Sequence, residues 1–320
     1  MIWKKIILPF IIIYSIFLLF ELNKLLQYST LKTRYKWLSD EPFNSTFKLS
    51  SNYTNWMIKI NNSISIKKLS IPGTHDSCAR KFLDEELAEK YYLKTQNWDI
   101  LTQLKAGIRY FDLRPGENFT IYHVIHTIYS FNEVIEIMVN FLKEYPSEFL
   151  IVRFQFQNHT CLTHPNIDEC KEKFTKPILD KYINYFYRGN DFPNIVEIRG
   201  KIFPIIEYFK YKNFTDWTKA TDNLFLLQDF YKIEKKSHIK LKRKLIYEYL
   251  YIKNDNKLII NHISAYSNMT KITTRYLRIR LNEIPYRYNN FKGVFPIDFP
   301  SEELIKHIIN QNNQFFLNIN

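Results

Sequence analysis

From residue 63 onward, short apolar, β-branched runs alternate with stretches of helical length, a pattern that commits the chain to a parallel sheet covered by helices. The candidate strands are Lys68–Gly73, Ile108–Leu113, Thr120–Val124, Phe149–Phe156, Lys201–Ile206, Leu224–Gln228, Leu258–His262 and Gly293–Ile297. Helix-compatible stretches lie at Asn97–Lys105, Phe131–Glu144, Lys171–Tyr187, Lys235–Tyr251 and Ser301–Asn310. In Phe131–Glu144 the residues Phe131, Val134, Ile135, Met138, Val139 and Leu142 repeat at helical spacing, so one face is buried. Eight strands in this order predict a TIM-type (β/α)8 barrel. It is distorted, because Ile108–Leu113 and Thr120–Val124 stand too close for a helix between them. No repeat or linker interrupts 63–315, which reads as one domain. At 46% hydrophobic and 17% aromatic, the chain has ample material for a core and does not read as disordered. Glycine is scarce, six in all, and Gly73, Gly107, Gly200 and Gly293 fall at strand edges, where positive φ or close backbone approach is expected.

Ahead of the domain, Ile6–Phe20 is an uncharged apolar run behind Lys4 and Lys5, giving a hydrophobic N-terminal helix over 1–26. The run is shorter than the roughly 20 residues of a bilayer span. No small-x-small cleavage site follows it, so a signal anchor fits better than a cleaved signal peptide, and both stay open. Residues 27–62 are polar and aperiodic, a stalk. The expected location is the secretory pathway, membrane-associated or secreted. Asn-x-Ser/Thr sequons at Asn44, Asn52, Asn61, Asn118, Asn158, Asn213 and Asn268 fit that route, as does a Cys161–Cys170 pair leaving Cys78 free. A net charge of +13 favours an anionic partner such as an acidic membrane surface. The basic run Lys235, Lys236, Lys240, Lys242, Arg243 and Lys244 is placed to face lipid or simply water. No nucleic-acid motif accompanies the charge, so no nucleic-acid partner is expected.

The chemistry concentrates in three segments. Leu69-Ser-Ile-Pro-Gly-Thr-His-Asp-Ser77 ends a strand and offers His75 and Asp76 at its C-terminal end, where barrel active sites gather. In Gly107-Ile-Arg-Tyr-Phe-Asp-Leu-Arg114, Asp112 and Arg114 share one strand face, a pairing suited to holding phosphate or to a structural ion pair. Ile121-Tyr-His-Val124 adds His123, with His126 three residues on, and two histidines supply a general base and a general acid.

In this order the three segments resemble the X domain of phosphatidylinositol-specific phospholipases C, most closely over residues 65–157 and more loosely to about 312. Pro146-Ser-Glu148, Ile198-Arg-Gly-Lys-Ile202, Leu227-Gln-Asp-Phe-Tyr231 and Val294-Phe-Pro-Ile-Asp-Phe299 extend the match. The resemblance implies a distorted TIM barrel, a monomer, that cleaves phosphatidylinositol or a glycosyl-phosphatidylinositol anchor to diacylglycerol and inositol 1,2-cyclic phosphate. It makes His75 the base, oriented by Asp298. Arg114 becomes the stabiliser of the phosphorane-like transition state, steadied by Asp112, and His123 the acid, assisted by Asp76. Arg199, Asp229, Tyr231 and Gln155 would hold the inositol ring.

Calcium-using relatives carry Asn after the first His and an acidic residue in place of Arg114. Asp76 and Arg114 are therefore of the metal-free type, and neither metal nor cofactor is expected. Two departures stand out. Val124 follows His123 where the family commonly has Gly, and Gln155 replaces a basic residue. The first keeps His126 as a second choice for the acid. The short loop from Arg114 to His123 keeps open a catalytically inactive barrel used as a lipid-binding or interaction module. A metal-dependent glycerophosphodiesterase barrel would need clustered carboxylates at the strand ends, which are lacking. His159 and His164 with Cys161 and Cys170 have spacing too irregular for a zinc set.

Overall fold

The computed structural model describes residues 49, 53–90, 92–116, 119–157, 166–189, 191–207, 215–216, 224–267 and 273–317. The hydrophobic N-terminal run, Cys161, His159, His164 and several sequons lie outside the described residues. Among those described, no helix is long and apolar enough to cross a membrane.

Among the described residues ten strands run β1 (Ser70–Thr74), β2 (Tyr110–Leu113), β3 (Thr120–His123), β4 (Ile125–Ser130), β5 (Leu150–Gln155), β6 (Ile202–Glu207), β7 (Thr215–Asp216), β8 (Phe225–Gln228), β9 (Leu258–Asn261) and β10 (Gly293–Ile297). Eight form one sheet in the order β7-β6-β5-β2-β1-β10-β9-β8, and its pairings are parallel. Parallel neighbours need crossovers, and helices such as Phe131–Glu144, Ile167–Lys181 and Lys236–Leu250 provide them. Side-chain caps fix where helices begin: Ser130 accepts from the Glu133 amide, and Ser301 from that of Leu304.

Three expectations are corrected here. The barrel is a curled sheet that stays open: among the described residues β7 and β8 do not pair. Thr120–His123 is no sheet strand, because it pairs antiparallel with β4 in a separate hairpin, and the eighth sheet strand is the two-residue β7. The folded domain also begins earlier than residue 63. Trp56, Met57 and Ile60 are buried, and Ile60 bridges to Phe316.

Packing holds the sheet by close backbone approach. A Cβ on Gly73 would lie 2.8 Å from the Tyr110 side chain on the neighbouring strand. Gly107 sits at φ 104°, where a Cβ would also meet Ile309 at 2.7 Å. The largest apolar cluster joins strands β1, β2, β5 and β6 to helix Phe131–Glu144, whose six predicted apolar residues are all buried. A second cluster lies between β10 and helices Lys236–Leu250, Thr274–Leu281 and Glu302–Asn310.

Candidate active site

Strand order builds the site. β1 lies between β10 and β2, with Thr74 in register with Ile297 on one side and Phe111 on the other. The residues just beyond those C-terminal ends are His75, Asp298 and Arg114, so topology alone brings together groups separated by up to 223 positions. His75 Nδ1 lies 2.9 Å from Asp298 Oδ1, and its Nε2 lies 3.1 Å from the Arg114 guanidinium. The Arg114 Nε pairs with Asp76 Oδ1, and its NH2 donates to Asp112 Oδ2 at 3.2 Å.

His123 arrives differently. The hairpin hangs on the Arg114 segment, because the Tyr122 amide donates to the Arg114 carbonyl and the Gly116 amide to that of Thr120. That sets His123 Nδ1 3.0 Å from Asp76 Oδ2, the oxygen that also lies 3.3 Å from His75 Nε2. His126 instead bonds Thr120 Oγ1 at 2.7 Å, so the geometry gives the place beside Asp76 to His123.

The two imidazoles and the guanidinium keep 14–18% of their side-chain surface exposed, whereas Asp76, Asp112 and Asp298 keep 5% or less. The imidazoles and the guanidinium therefore reach solvent, with the carboxylates behind them. Backbone strain marks the same places. Asp76, Val124 and Phe299 take positive φ without being glycine, and each is, or directly follows, a site residue.

Charge follows from this packing. Burial opposes a charge on His75, but the Asp76 and Asp298 carboxylates outweigh it and push its pKa up to about 9, with Arg114 pulling the other way. Burial also disfavours an Asp76 carboxylate, yet Arg114, then His123 and His75, hold it far below the usual range. Asp112 is likewise lowered against burial, by Arg114 and Arg153. Ligand atoms of His75, Asp76 and Asp112 lie within 4.8 Å of one another, a spacing that can serve a cation. Their cation is Arg114, whose guanidinium contacts all three residues. A divalent ion would sit against that fixed charge and short of the six or more oxygens calcium takes.

The ring-holding candidates divide. Asp229 and Tyr231 follow β8, Asp229 partly open and Tyr231 exposed, stacked on Tyr266 with centroids 5.7 Å apart. Gln155 ends β5, half-buried. Arg199 is a correction. It precedes β6, at the opposite end of the sheet, and donates to Asn62 Oδ1 and to the carbonyls of Met57, Ser147 and Ile60. The basic run is corrected at one position: Lys235, Lys236, Lys240 and Lys244 are exposed and Arg243 half-buried, but Lys242 is fully buried.

Several supports escaped the sequence reading. Arg153, on β5, lies in register with Asp112 and 3.6 Å from its Oδ1. Its only signal was a charge inside the apolar run Leu150-Ile-Val-Arg-Phe154. Gln96 donates to the carbonyls of His75 and Ile297, and Thr95 to those of His75 and Asp76. Gln103 accepts from Thr74 and donates to the Ser77 carbonyl, fixing the turn that carries His75. His262 packs edge-on to His75, with ring centroids 5.9 Å apart. Nothing in their sequence neighbourhoods set these apart.

A curled parallel sheet with two histidines, a guanidinium and carboxylates gathered at its C-terminal ends defines the class: a TIM-barrel-like fold with one polar centre at the strand ends. Comparison with known proteins narrows it. No family model matches the chain. The 1-phosphatidylinositol phosphodiesterase of Listeria monocytogenes is 30% identical over 294 residues, covering 85% of this chain and 89% of that protein. The solved phosphatidylinositol-specific phospholipase C of the same organism superposes with a TM-score of 0.70 at 30% identity, over 82% of this chain and 99% of that one. A Staphylococcus aureus phosphatidylinositol-specific phospholipase C shares the fold, with a TM-score of 0.66 at 20% identity, over 81% and 97% of the two chains. This chain belongs to the phosphatidylinositol-specific phospholipase C X-domain family.

Proposed function

We propose that the chain is a phosphatidylinositol-specific phospholipase C that breaks the glycerol–phosphate bond by intramolecular attack. His75 Nε2 takes the proton of the inositol 2-hydroxyl while Asp298 holds Nδ1–H and fixes the tautomer. The freed oxygen bonds to phosphorus, the bond to the glycerol oxygen breaks, and that oxygen takes a proton from His123. The products are inositol 1,2-cyclic phosphate and diacylglycerol. Arg114 stabilises the charge that builds on the phosphoryl oxygens, the contribution that is usually largest. Asp112 and Asp76 hold the guanidinium, and Asp76 also orients His123. Asp229 and Tyr231 take the inositol ring, with Gln155 at the rim.

The observation that carries this reading is that His75 and His123 both lie against one carboxylate, Asp76, which also pairs with Arg114. The similarity to the 1-phosphatidylinositol phosphodiesterase of Listeria monocytogenes supports the substrate. The inactive-module alternative needs a missing group, and none of the six is missing. A glycosyl-phosphatidylinositol anchor presents the same scissile bond and is the second substrate to assay. The domain acts as a monomer at an anionic membrane surface. Cys170 is disulfide-bonded while Cys78 is a free buried thiol, which supports an oxidising, secretory location for the domain.

The test is release of cyclic inositol phosphate from labelled phosphatidylinositol with EDTA present. Turnover that persists in EDTA and disappears in His75→Ala is the expected result. Turnover that EDTA removes and calcium restores would overturn the metal-free mechanism.

A further inference from the structure

The turn Asp229-Phe230-Tyr231 has to hold its shape if it is to present a carboxylate and an aromatic face to one ring, yet it lies at the end of a four-residue strand. What supports it comes from the helix layer. Lys242, on helix Lys236–Leu250, is fully buried and directs its ammonium to Gln228 Oε1 at 3.1 Å. The same oxygen accepts the Phe230 amide at 2.9 Å, at the centre of the turn. The Gln228 amide nitrogen donates to Asn261 Oδ1 at 2.8 Å and to the His262 carbonyl at 2.9 Å. Asn261 in turn donates to the Ile246 carbonyl at 2.9 Å, one helical turn beyond Lys242. Lys242, Gln228 and Asn261 thus form one hydrogen-bonded strut from the helix to the turn, all three nearly or fully buried.

A buried ammonium is an expensive way to fill space, because desolvation disfavours its charge and an apolar side chain of similar length would pack as well. It is kept company by Asp229 and Asp298, whose carboxylates favour its charge against the burial that lowers its pKa to about 7. Asp229 faces it from the end of β8 and Asp298 from the end of β10. His262, at the end of β9, carries its influence in turn, and burial pushes that imidazole down to about 3, so it stays neutral.

We propose that Lys242 is a positioning residue for head-group binding: through Gln228 it holds the Asp229–Tyr231 turn in the shape that receives the inositol ring. The assignment rests on the reading that Asp229 and Tyr231 contact that ring. Lys242 touches neither the phosphorus nor the attacking oxygen, so its effect falls on binding and not on bond-making.

The experiment measures kcat and KM separately on monomeric dihexanoylphosphatidylinositol, which removes membrane adsorption from the readout. Lys242→Met keeps the length of the side chain and loses its donors. The expected result is a KM about tenfold higher with kcat within about twofold. Lys242→Gln, whose amide can still donate to Gln228, is expected to recover most of the loss. Should Lys242→Met not fold, Gln228→Leu breaks the strut from its other side and carries the same expectation. An unchanged KM in a folded variant overturns the assignment, as does a fall in kcat alone. Failure of both variants to fold also overturns it, and makes the strut a stability element. A wild type that does not turn the lipid over overturns the functional reading beneath the proposal, whereas an active wild type with an indifferent Lys242 leaves that reading intact.

Discussion

The two ends of the sheet each hold a buried arginine against carboxylates, and they use it in opposite ways. At the N-terminal end, Arg109 precedes β2 and has no exposed surface. Its Nε and NH2 donate to Glu148 Oε2 at 2.9 and 2.7 Å. The remaining donors go to the carbonyls of Leu104, Ile108 and Thr54, and the cation lies 4.9 Å over the Phe141 ring. The other Glu148 oxygen accepts from the Met57 amide and from Ser147. Every hydrogen of that guanidinium is engaged, and nothing is left for a ligand. At the C-terminal end, Arg114 pairs through Nε and NH2, while its NH1 has no partner among the described residues, and the side chain keeps 14% of its surface open. A closed donor set locks the fold, and an incomplete one leaves donors for the anion of the proposed reaction. The two residues lie five positions apart in sequence, at opposite ends of β2.

Substituting each arginine is the sharpest way to break this contrast. Arg114→Met is expected to lower kcat by about 10³-fold, the scale of losing an oxyanion donor, with the melting temperature little changed. Arg109→Met should do the reverse. It leaves Glu148 buried without its partner, so chemical denaturation should show a loss of about 3–5 kcal/mol while kcat per folded molecule holds. Equal effects of the two on stability would erase the distinction.

Asp298→Asn sharpens the account of the open end. A base must be unprotonated to accept a proton, so with its pKa near 9 the wild-type kcat/KM should climb with pH toward that value. Removing the carboxylate removes one cause of the raised pKa. The acid limb should therefore move to lower pH while the maximum falls by about 10²-fold. A limb that stays in place would separate Asp298 from the His75 titration. The smallest effect belongs to Val124→Gly. It relieves positive φ at a β-branched residue and should raise stability by about 1 kcal/mol, measured by urea titration, with kcat within a few-fold.

Much of this was legible before any coordinates. The alternation of strands and helices pointed to the parallel sheet, and Pro72-Gly73-Thr74-His75-Asp76 with Asp112-Leu113-Arg114 named residues that the fold brings together, because strand ends and period-two faces follow from local pattern. What escaped did so for non-local reasons. The resemblance puts Arg199 in the site, but a residue before β6 stands at the opposite end of the sheet. Lys242 read as one more basic residue of a solvated helix, since only the packing of that helix on Gln228 turns it inward. Thr120–His123 has the composition of a sheet strand, and its partner β4 decided otherwise. The seam between β7 and β8 leaves no mark in a strand count.

The hairpin that carries His123 has a consequence for how such a centre can diversify. The proposed base, guanidinium and orienting carboxylates are mounted on adjoining strands of the sheet, whereas the proposed proton donor to the departing alcohol is delivered by a β-ribbon outside that ladder. In the proposed reaction, the groups that cyclise the head group and the group that releases the other product are thus separate parts. A graft that exchanges residues 119–130 could retune which alcohol leaves and keep the cyclising machinery whole.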